Sequence, residues 1–485
     1  MTNITSSIKE FAQQFPEKTA INSKNQTLTY ADWYMLVSKT ANWLHSFSFA
    51  NKTISFLMPN GIPFLQLFAG ASMAGWTAVP FDAKWKAAEL DKRLAISCPS
   101  IVVTTKDLYH HVAHLHPFVL IWEDCREELN KKDQAFLIEK NDNMPFYMGF
   151  TSGTTGNPKA FIRSHKSWAA SFLVNQHDFE MDEKEQVLIP GSLIHSHFLY
   201  GAISTLCTGG TVHLLEKFSA PKTLSLIEER EITTLYVVPT MIAAILKEDR
   251  VIERPIKIIS SGAKWDKHSK QAIRNVFAHL TMIEFYGASE LSYVTYLTDD
   301  HKADSVGKPC HGVEIEIRGS RSEKLEPNDI GKIFVRSDLI FDGYLHPDTK
   351  KIQTIKDEDG WATVHDMGYV DDEGYLNISG REKNMILYGA INIFPEEIEK
   401  VLSLNPAVEE VAVIGLPDPY WGQIAAAVVK GQASTLDLKR FCKKHLAAYK
   451  VPRKWFFLDE MPYTTSGKIA RAQLKDSIES KVTSH

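Results

Sequence analysis

The chain has little cysteine, and what it has is scattered: Cys98, Cys125, Cys207, Cys310 and Cys442 form no CxxC pair and no Cys/His ligand spacing. That argues against a disulfide framework and a structural zinc site, and fits a reducing cytoplasm. An excess of positive charge is also missing. With 54 Lys and Arg against 59 Asp and Glu the formal net charge is -5, which gives no reason to expect nucleic acid as a partner. No apolar run is clean enough to span a membrane. The most hydrophobic one, residues 64 to 81, contains Gln66, several glycines and Pro80, and reads better as a core helix that breaks at Gly75 before a buried strand. The start MTNITSSIKEFAQQF lacks the apolar stretch of a signal peptide.

What is present is ordinary for a large globular protein: 44% hydrophobic and 23% charged residues over 485 positions. That length exceeds one hydrophobic core, so at least two domains are expected. From residue 164 to 287 helical and strand patterns alternate: a helix near 164 to 175, strand VLIP, a helix near 198 to 207, strand TVHLL, helix KTLSLIEER, strand TTLYVV, helix TMIAAILK, strand IKIISS, helix DKHSKQAIRNVF and strand MIEFYG. This is the rhythm of parallel βαβ units. From about residue 305 shorter strands with Gly turns take over, such as VEIEIRG and GKIFVRS. After GREKN a small α+β pattern of about 100 residues restarts, a normal domain size.

Residues 151 to 159, TSGTTGNPK, follow the apolar stretch MPFYMGF and read as a phosphate-gripping loop leaving a strand. Gly153 and Gly156 permit left-handed backbone and close approach, so that several N–H groups can converge on an anion. Thr151, Ser152, Thr154 and Thr155 add hydroxyl donors and Lys159 a positive charge. The spacing differs from GxxxxGK[ST], because the lysine follows Asn-Pro and no Ser or Thr follows it, so a different nucleotide fold is indicated. Alone, the run could equally be a Ser/Thr/Gly linker. It is followed in order by YGASE (286 to 290), GWATVHD (360 to 366), GREKN (380 to 384), YGAINIFPEEIE (388 to 399) and YTTSGKIAR (463 to 471).

Together these motifs resemble the adenylate-forming superfamily, over a stretch running from LTY at 28 to 30 almost to the carboxyl terminus. The resemblance implies an α/β fold: a large amino-terminal domain, residues 1–382, of parallel βαβ sheets plus a β-rich subdomain, and a small mobile α+β domain, residues 383–485, hinged at Lys383. It implies that Thr151, Ser152, Gly153, Thr154, Thr155, Gly156 and Lys159 hold the β- and γ-phosphates of ATP, and that Glu290, with Thr151, ligates Mg2+. Tyr286 would lie against adenine, with Gly287 allowing close backbone approach and Ser289 keeping a hydroxyl where threonine is commoner. Ser261, Gly262 and Ala263 correspond to the adenine-facing loop, while Lys264 stands where proline is common and has no assigned role. Asp366 matches the carboxylate that accepts the ribose hydroxyls, and Arg381 a second ribose contact. Val364 and His365 replace the usual Thr-Gly before Asp366.

Lys468, in a Gly-Lys loop, matches the lysine that reaches the α-phosphate and the substrate carboxylate. Gly389 matches the glycine at the pantetheine tunnel, with Ala390 in place of a frequent second glycine. His195, with His197 as competitor and a packed core histidine as third reading, stands where the family carries a residue near the acyl carboxylate. The basic residues Arg440, Lys443, Lys444, Lys450, Arg453 and Lys454 fit either CoA phosphates or a solvated helix face. Between Pro190 and Cys207 there is no acidic residue and no Lys or Arg, which favours an apolar monocarboxylate. Phe198, Leu199, Tyr200, Tyr236 and Val238 are candidate acyl-pocket residues.

The expectation is therefore an AMP-forming acid:CoA ligase of fatty-acid metabolism, cytoplasmic, with coenzyme A and a small carboxylic acid as partners. No transmembrane segment is expected, and a homodimer is left open. The alternatives are an adenylase for o-succinylbenzoate or another aromatic acid, loading of a carrier-protein thiol, and a catalytically silent nucleotide-binding homologue.

Overall fold

The computed structural model describes residues 3–136, 142–151, 158–262, 265, 267–299, 302, 305–389, 391–463 and 469–483. These divide into two compact units, the first within residues 3–151, 158–314 and 335–362, the second within residues 315–334 and 363–483.

The first unit carries two mixed sheets. One has nine strands in the order Lys308–Pro309, Ser292–Thr298, Leu280–Ala288, Ile256–Ser260, Thr234–Val237, Gln186–Ile189, Thr211–Leu214, Thr19–Asn22, Thr27–Thr29. Its six central strands, from Leu280–Ala288 to Thr19–Asn22, are parallel, and antiparallel strands close both edges. Strands such as Thr211–Leu214 and Thr234–Val237 are buried at every residue, as parallel strands covered on both faces must be. The other sheet has eight strands in the order Ile352–Gln353, Gly343–Leu345, Lys159–Ser164, Pro145–Thr151, Thr77–Phe81, Thr53–Leu57, Ile101–Thr104, Val119–Ile121.

The alternation read from 164 to 287 is present, with helices Ser196–Thr208, Ala220–Glu229, Pro239–Ile245 and Lys267–Val276 between the strands. The helix expected near 164 to 175 is two, His165–Ala169 and Phe172–His177. Its break falls at Ser171, whose hydroxyl donates to Trp168 O at 2.6 Å and so competes with the helical ladder. The apolar segment 64 to 81 is the helix Ile62–Met73 and the strand Thr77–Phe81, turned by Gly75 at φ +71. That helix is apolar all round because it is enclosed all round. A Cβ on Gly70 would come within 2.5 Å of Thr40, so this glycine sets the close packing against helix Tyr30–His45. No described helix is long and apolar enough to cross a membrane.

A third sheet has the order Glu314–Arg318, Gly331–Arg336, Asp366–Val370, Leu376–Arg381, and the second unit holds one in the order Ile391–Ile393, Ile386–Tyr388, Gly422–Gly431, Val408–Asp418, with Lys454–Phe457 parallel to Gly422–Gly431. Helices Pro395–Leu402, Thr435–His445 and Arg471–Thr483 bury Ile398, Leu402, Leu438, Cys442, Leu474 and Ile478 in a common core with that sheet.

Candidate active site

Thr151 ends one strand and Lys159 begins the next, and the two are register partners in an antiparallel pair. The run thus starts at the end of one strand and finishes at the start of its antiparallel partner; Ser152, Gly153, Thr154, Thr155 and Gly156 lie outside the described residues. Lys159 is exposed, its Nζ 5.1 Å from the centre of the Tyr344 ring. Tyr344, on strand Gly343–Leu345, donates its hydroxyl hydrogen bond to Glu290 Oε1. One aromatic side chain therefore touches both the expected phosphate cation and the expected metal carboxylate.

Glu290 does not open a helix. It sits in the turn Ser289 to Leu291 between strands Leu280–Ala288 and Ser292–Thr298, where Ala288 pairs with Ser292. Ser292 takes φ +61 to close that turn. Glu290 O accepts from Phe341 N at 2.9 Å. Arg163, 3% exposed, donates from Nη2 to Ser289 O at 2.8 Å and from Nη1 to Leu339 O. Burial brings its guanidinium pKa down to about 10, against the pull of Asp342 and Glu290. The carboxylate is thus aimed by a buried arginine and a tyrosine. Neither was read from the sequence; the one available signal was a lone arginine within the apolar strand KAFIRS.

Tyr286 is half-buried on the strand leading to this turn. The ladder slips one register between Tyr286 and Gly287, and a Cβ on Gly287 would lie 2.0 Å from Ser292 O. The hairpin itself demands a glycine there, whatever ligand approaches. Ser261 and Gly262 follow the carboxyl end of strand Ile256–Ser260, Gly262 at φ +97 with open space around its Cα. Trp265 braces this loop, its Nε1 donating to Ser260 Oγ at 2.6 Å and its backbone N to Glu284 Oε1 at 3.0 Å. Ala263 and Lys264 lie outside the described residues.

His195 is the exposed N-cap of helix Ser196–Thr208, and partial desolvation lowers its pKa against the pull of Asp82. The candidate acyl residues Phe198, Leu199, Tyr200 and Tyr236 are buried. Ser171 Oγ donates to Tyr200 Oη at 3.0 Å, and Tyr200 and Tyr293 ring centres stand 5.3 Å apart.

In the second unit Asp366 is 6% exposed and pairs with its register partner Arg381, Nε to Oδ1 at 3.0 Å. His365 takes φ +64, a left-handed conformation that explains why glycine is usual at this position. Its Nδ1 lies 2.8 Å from Glu382 Oε2, and Glu382 pairs with Lys332 at 2.9 Å. Lys383 is exposed within the short turn of helix Glu382–Asn384.

Gly389 has φ +59, and a Cβ there would stand 3.6 Å from Trp421. Trp421 stacks on Tyr388 at 4.2 Å, and Arg453 lies 5.3 Å from both rings. Lys450 is held by Glu397 at 2.6 Å. Of the basic run, Lys450 is held by this ion pair, Arg453 donates to Tyr388 Oη while remaining exposed, and Arg440 lies 3.8 Å from Asp437. Ala390 and Lys468 lie outside the described residues.

The AMP-binding enzyme family model matches residues 8–345 and the AMP-binding enzyme C-terminal domain matches 397–468. An uncharacterized acyl-CoA ligase of Bacillus subtilis, YhfT, is 47% identical over 99% of both chains. The long-chain-fatty-acid--CoA ligase FadD13 of Mycobacterium tuberculosis is 28% identical over 95% of both. Among solved structures, the o-succinylbenzoate CoA synthetase MenE of Bacillus subtilis with ATP and magnesium superposes with a TM-score of 0.87 at 27% identity, covering 97% of this chain and 99% of that one. The chain belongs to the AMP-binding enzyme family. It is an AMP-forming acyl-CoA synthetase, joining an acid to CoA through an acyl adenylate at the expense of ATP.

Proposed function

We propose that this synthetase activates an apolar-bodied monocarboxylic acid, a fatty acid first among them, and passes it to coenzyme A in the cytoplasm. The observation that supports the site assignment is the shared contact of Tyr344 with Lys159 and Glu290, beside the paired residues Thr151 and Lys159. In the first half-reaction a carboxylate oxygen attacks the α-phosphorus of ATP and the bond to the β-phosphate breaks, releasing pyrophosphate. Two anions must meet, so catalysis rests on positioning and on positive charge. Lys159 and the loop from Thr151 to Gly156 grip the outgoing phosphates, and Lys468 supplies charge at the reacting centre. Glu290 fits a magnesium ligand, being a half-buried hard-oxygen donor already oriented by Tyr344, with Thr151 as hydroxyl partner. When bound, the metal neutralises phosphate charge.

Tyr286, Gly287, Ser289, Ser261, Gly262 and Ala263 receive the adenine, and Asp366 and Arg381 the ribose. His195 stands near the acyl carboxylate. In the second half-reaction the CoA thiolate attacks the acyl carbonyl, the bond to AMP breaks and AMP leaves, the thiol reaching past Gly389. Residues 383–485 turn about Lys383 between the two steps, exchanging Lys468 for Gly389. The test is AMP release over a panel of fatty acids with ATP and magnesium. Release that requires CoA is expected, and release indifferent to CoA would break the acceptor assignment.

A further inference from the structure

The chemistry above leaves His197 unused. It is the second residue of helix Ser196–Thr208, half-buried, with ring centres of Phe198, Tyr236 and Phe285 at 5.0, 5.2 and 5.7 Å. Its Nε2 lies 3.0 Å from Val237 O. A carbonyl only accepts, so Nε2 carries the proton. Burial brings the imidazole pKa down to about 4, so near neutral pH the ring is uncharged and Nδ1 is a bare acceptor. That atom is enclosed and has no hydrogen-bond partner among the described residues.

Its place in the fold points to a ligand. Val237 ends one central strand, and Phe285 precedes Tyr286 beyond the point where the neighbouring parallel strand stops pairing at Ser260 with Glu284. These are the carboxyl ends of the parallel strands, where open α/β sheets bind their ligands. A buried acceptor left without a donor is unfavourable, and a site built around one discriminates strongly for the substrate that supplies it.

We propose that His197 is a specificity-determining residue whose Nδ1 accepts a hydrogen bond from a hydroxyl on the acid, so that the substrate is a hydroxylated monocarboxylate of otherwise apolar body. This rests on the acid-activation reading and narrows it. A charged amine fits less well, because Pro190 to Cys207 contains no carboxylate to pair with it.

The experiment compares kcat/KM in ATP–pyrophosphate exchange for matched acids with and without a hydroxyl group, aliphatic and aromatic. In the natural enzyme at least one hydroxylated member should exceed its partner by about tenfold or more. His197→Leu should bring that ratio close to one. His197→Gln, which can both donate to Val237 O and accept from the substrate, should keep part of it, and it serves as the reading if the leucine variant does not fold. No hydroxyl preference in the natural enzyme, or the same preference in His197→Leu, overturns the inference. Exchange with unsubstituted acids alone would leave acid activation standing while removing the role of His197. Absence of exchange with every acid would break the activation reading, and the inference with it.

Discussion

The two units hold the groups proposed to meet ligands in different ways. In the first, Glu290 is aimed from behind: Arg163 is 3% exposed and bonded to two backbone carbonyls, and Tyr344 fixes the carboxylate. In the second, Asp366 is paired with Arg381, whose side chain is 49% exposed, and Lys383 stands in solvent. Buried polar networks hold one geometry because every loosened bond leaves an unpaired group. Exposed pairs exchange with water at little cost. On the proposed reading the group meant for the metal and triphosphate is of the first kind, while Lys383, at the proposed hinge, is of the second.

The sharpest way to test that contrast is to separate the half-reactions. Lys468→Ala should lower adenylate formation by at least a hundredfold, about 3 kcal/mol for one preorganised donor. The same variant should still convert a supplied acyl adenylate to the thioester. Gly389→Trp should do the reverse, and equal loss of both steps in each variant would refute the division.

A second comparison sets one arginine against the other. Arg163→Met leaves Ser289 O and Leu339 O without their donor and should destabilise the protein by roughly 3 kcal/mol in denaturant unfolding, with pyrophosphate exchange falling alongside. Arg381→Met takes a half-exposed cation from the buried Asp366 carboxylate and should cost less, about 1 to 2 kcal/mol. Similar losses from the two would mean that the contrast between the units is not energetic.

The last comparison is of the first unit with itself at two pH values. His165 and His213 are buried in the first unit, and desolvation lowers their pKa values to about 3 and about 4. The unfolded chain therefore binds more protons than the folded one below about pH 6.5. Stability present above that pH should fall as pH drops toward 4, by about 1.4 kcal/mol per pH unit for each histidine. A melting temperature unchanged between pH 7 and 4.5 would contradict this, and His213→Gln should flatten the decline.

Much of this was legible in advance. The six ordered motifs, the strand and helix rhythm from 164 to 287 and the core helix before Gly75 could be read because each is local: hydrophobic period, turn glycines and proline act within a few residues. That Thr151 ends a strand could be anticipated from the apolar stretch before it; its pairing with Lys159 could not. What escaped reading was long-range. Nothing near residue 290 announces that Tyr344 and Arg163 support it, or that Gly287 is required by the carbonyl of Ser292. His365 looked like a departure from the family, yet its backbone keeps the left-handed shape of the glycine it replaces.

The amino-acid order alone determined the secondary structure, the family and the chemical identity of the groups that would meet a nucleotide, since these follow from side-chain type and short spacing. The tertiary structure decided which of those groups are held by buried partners, and left His197 Nδ1 among the buried polar atoms without a partner in the described residues. Satisfaction of a buried polar atom depends on residues far apart in the chain, and only folding brings them into range.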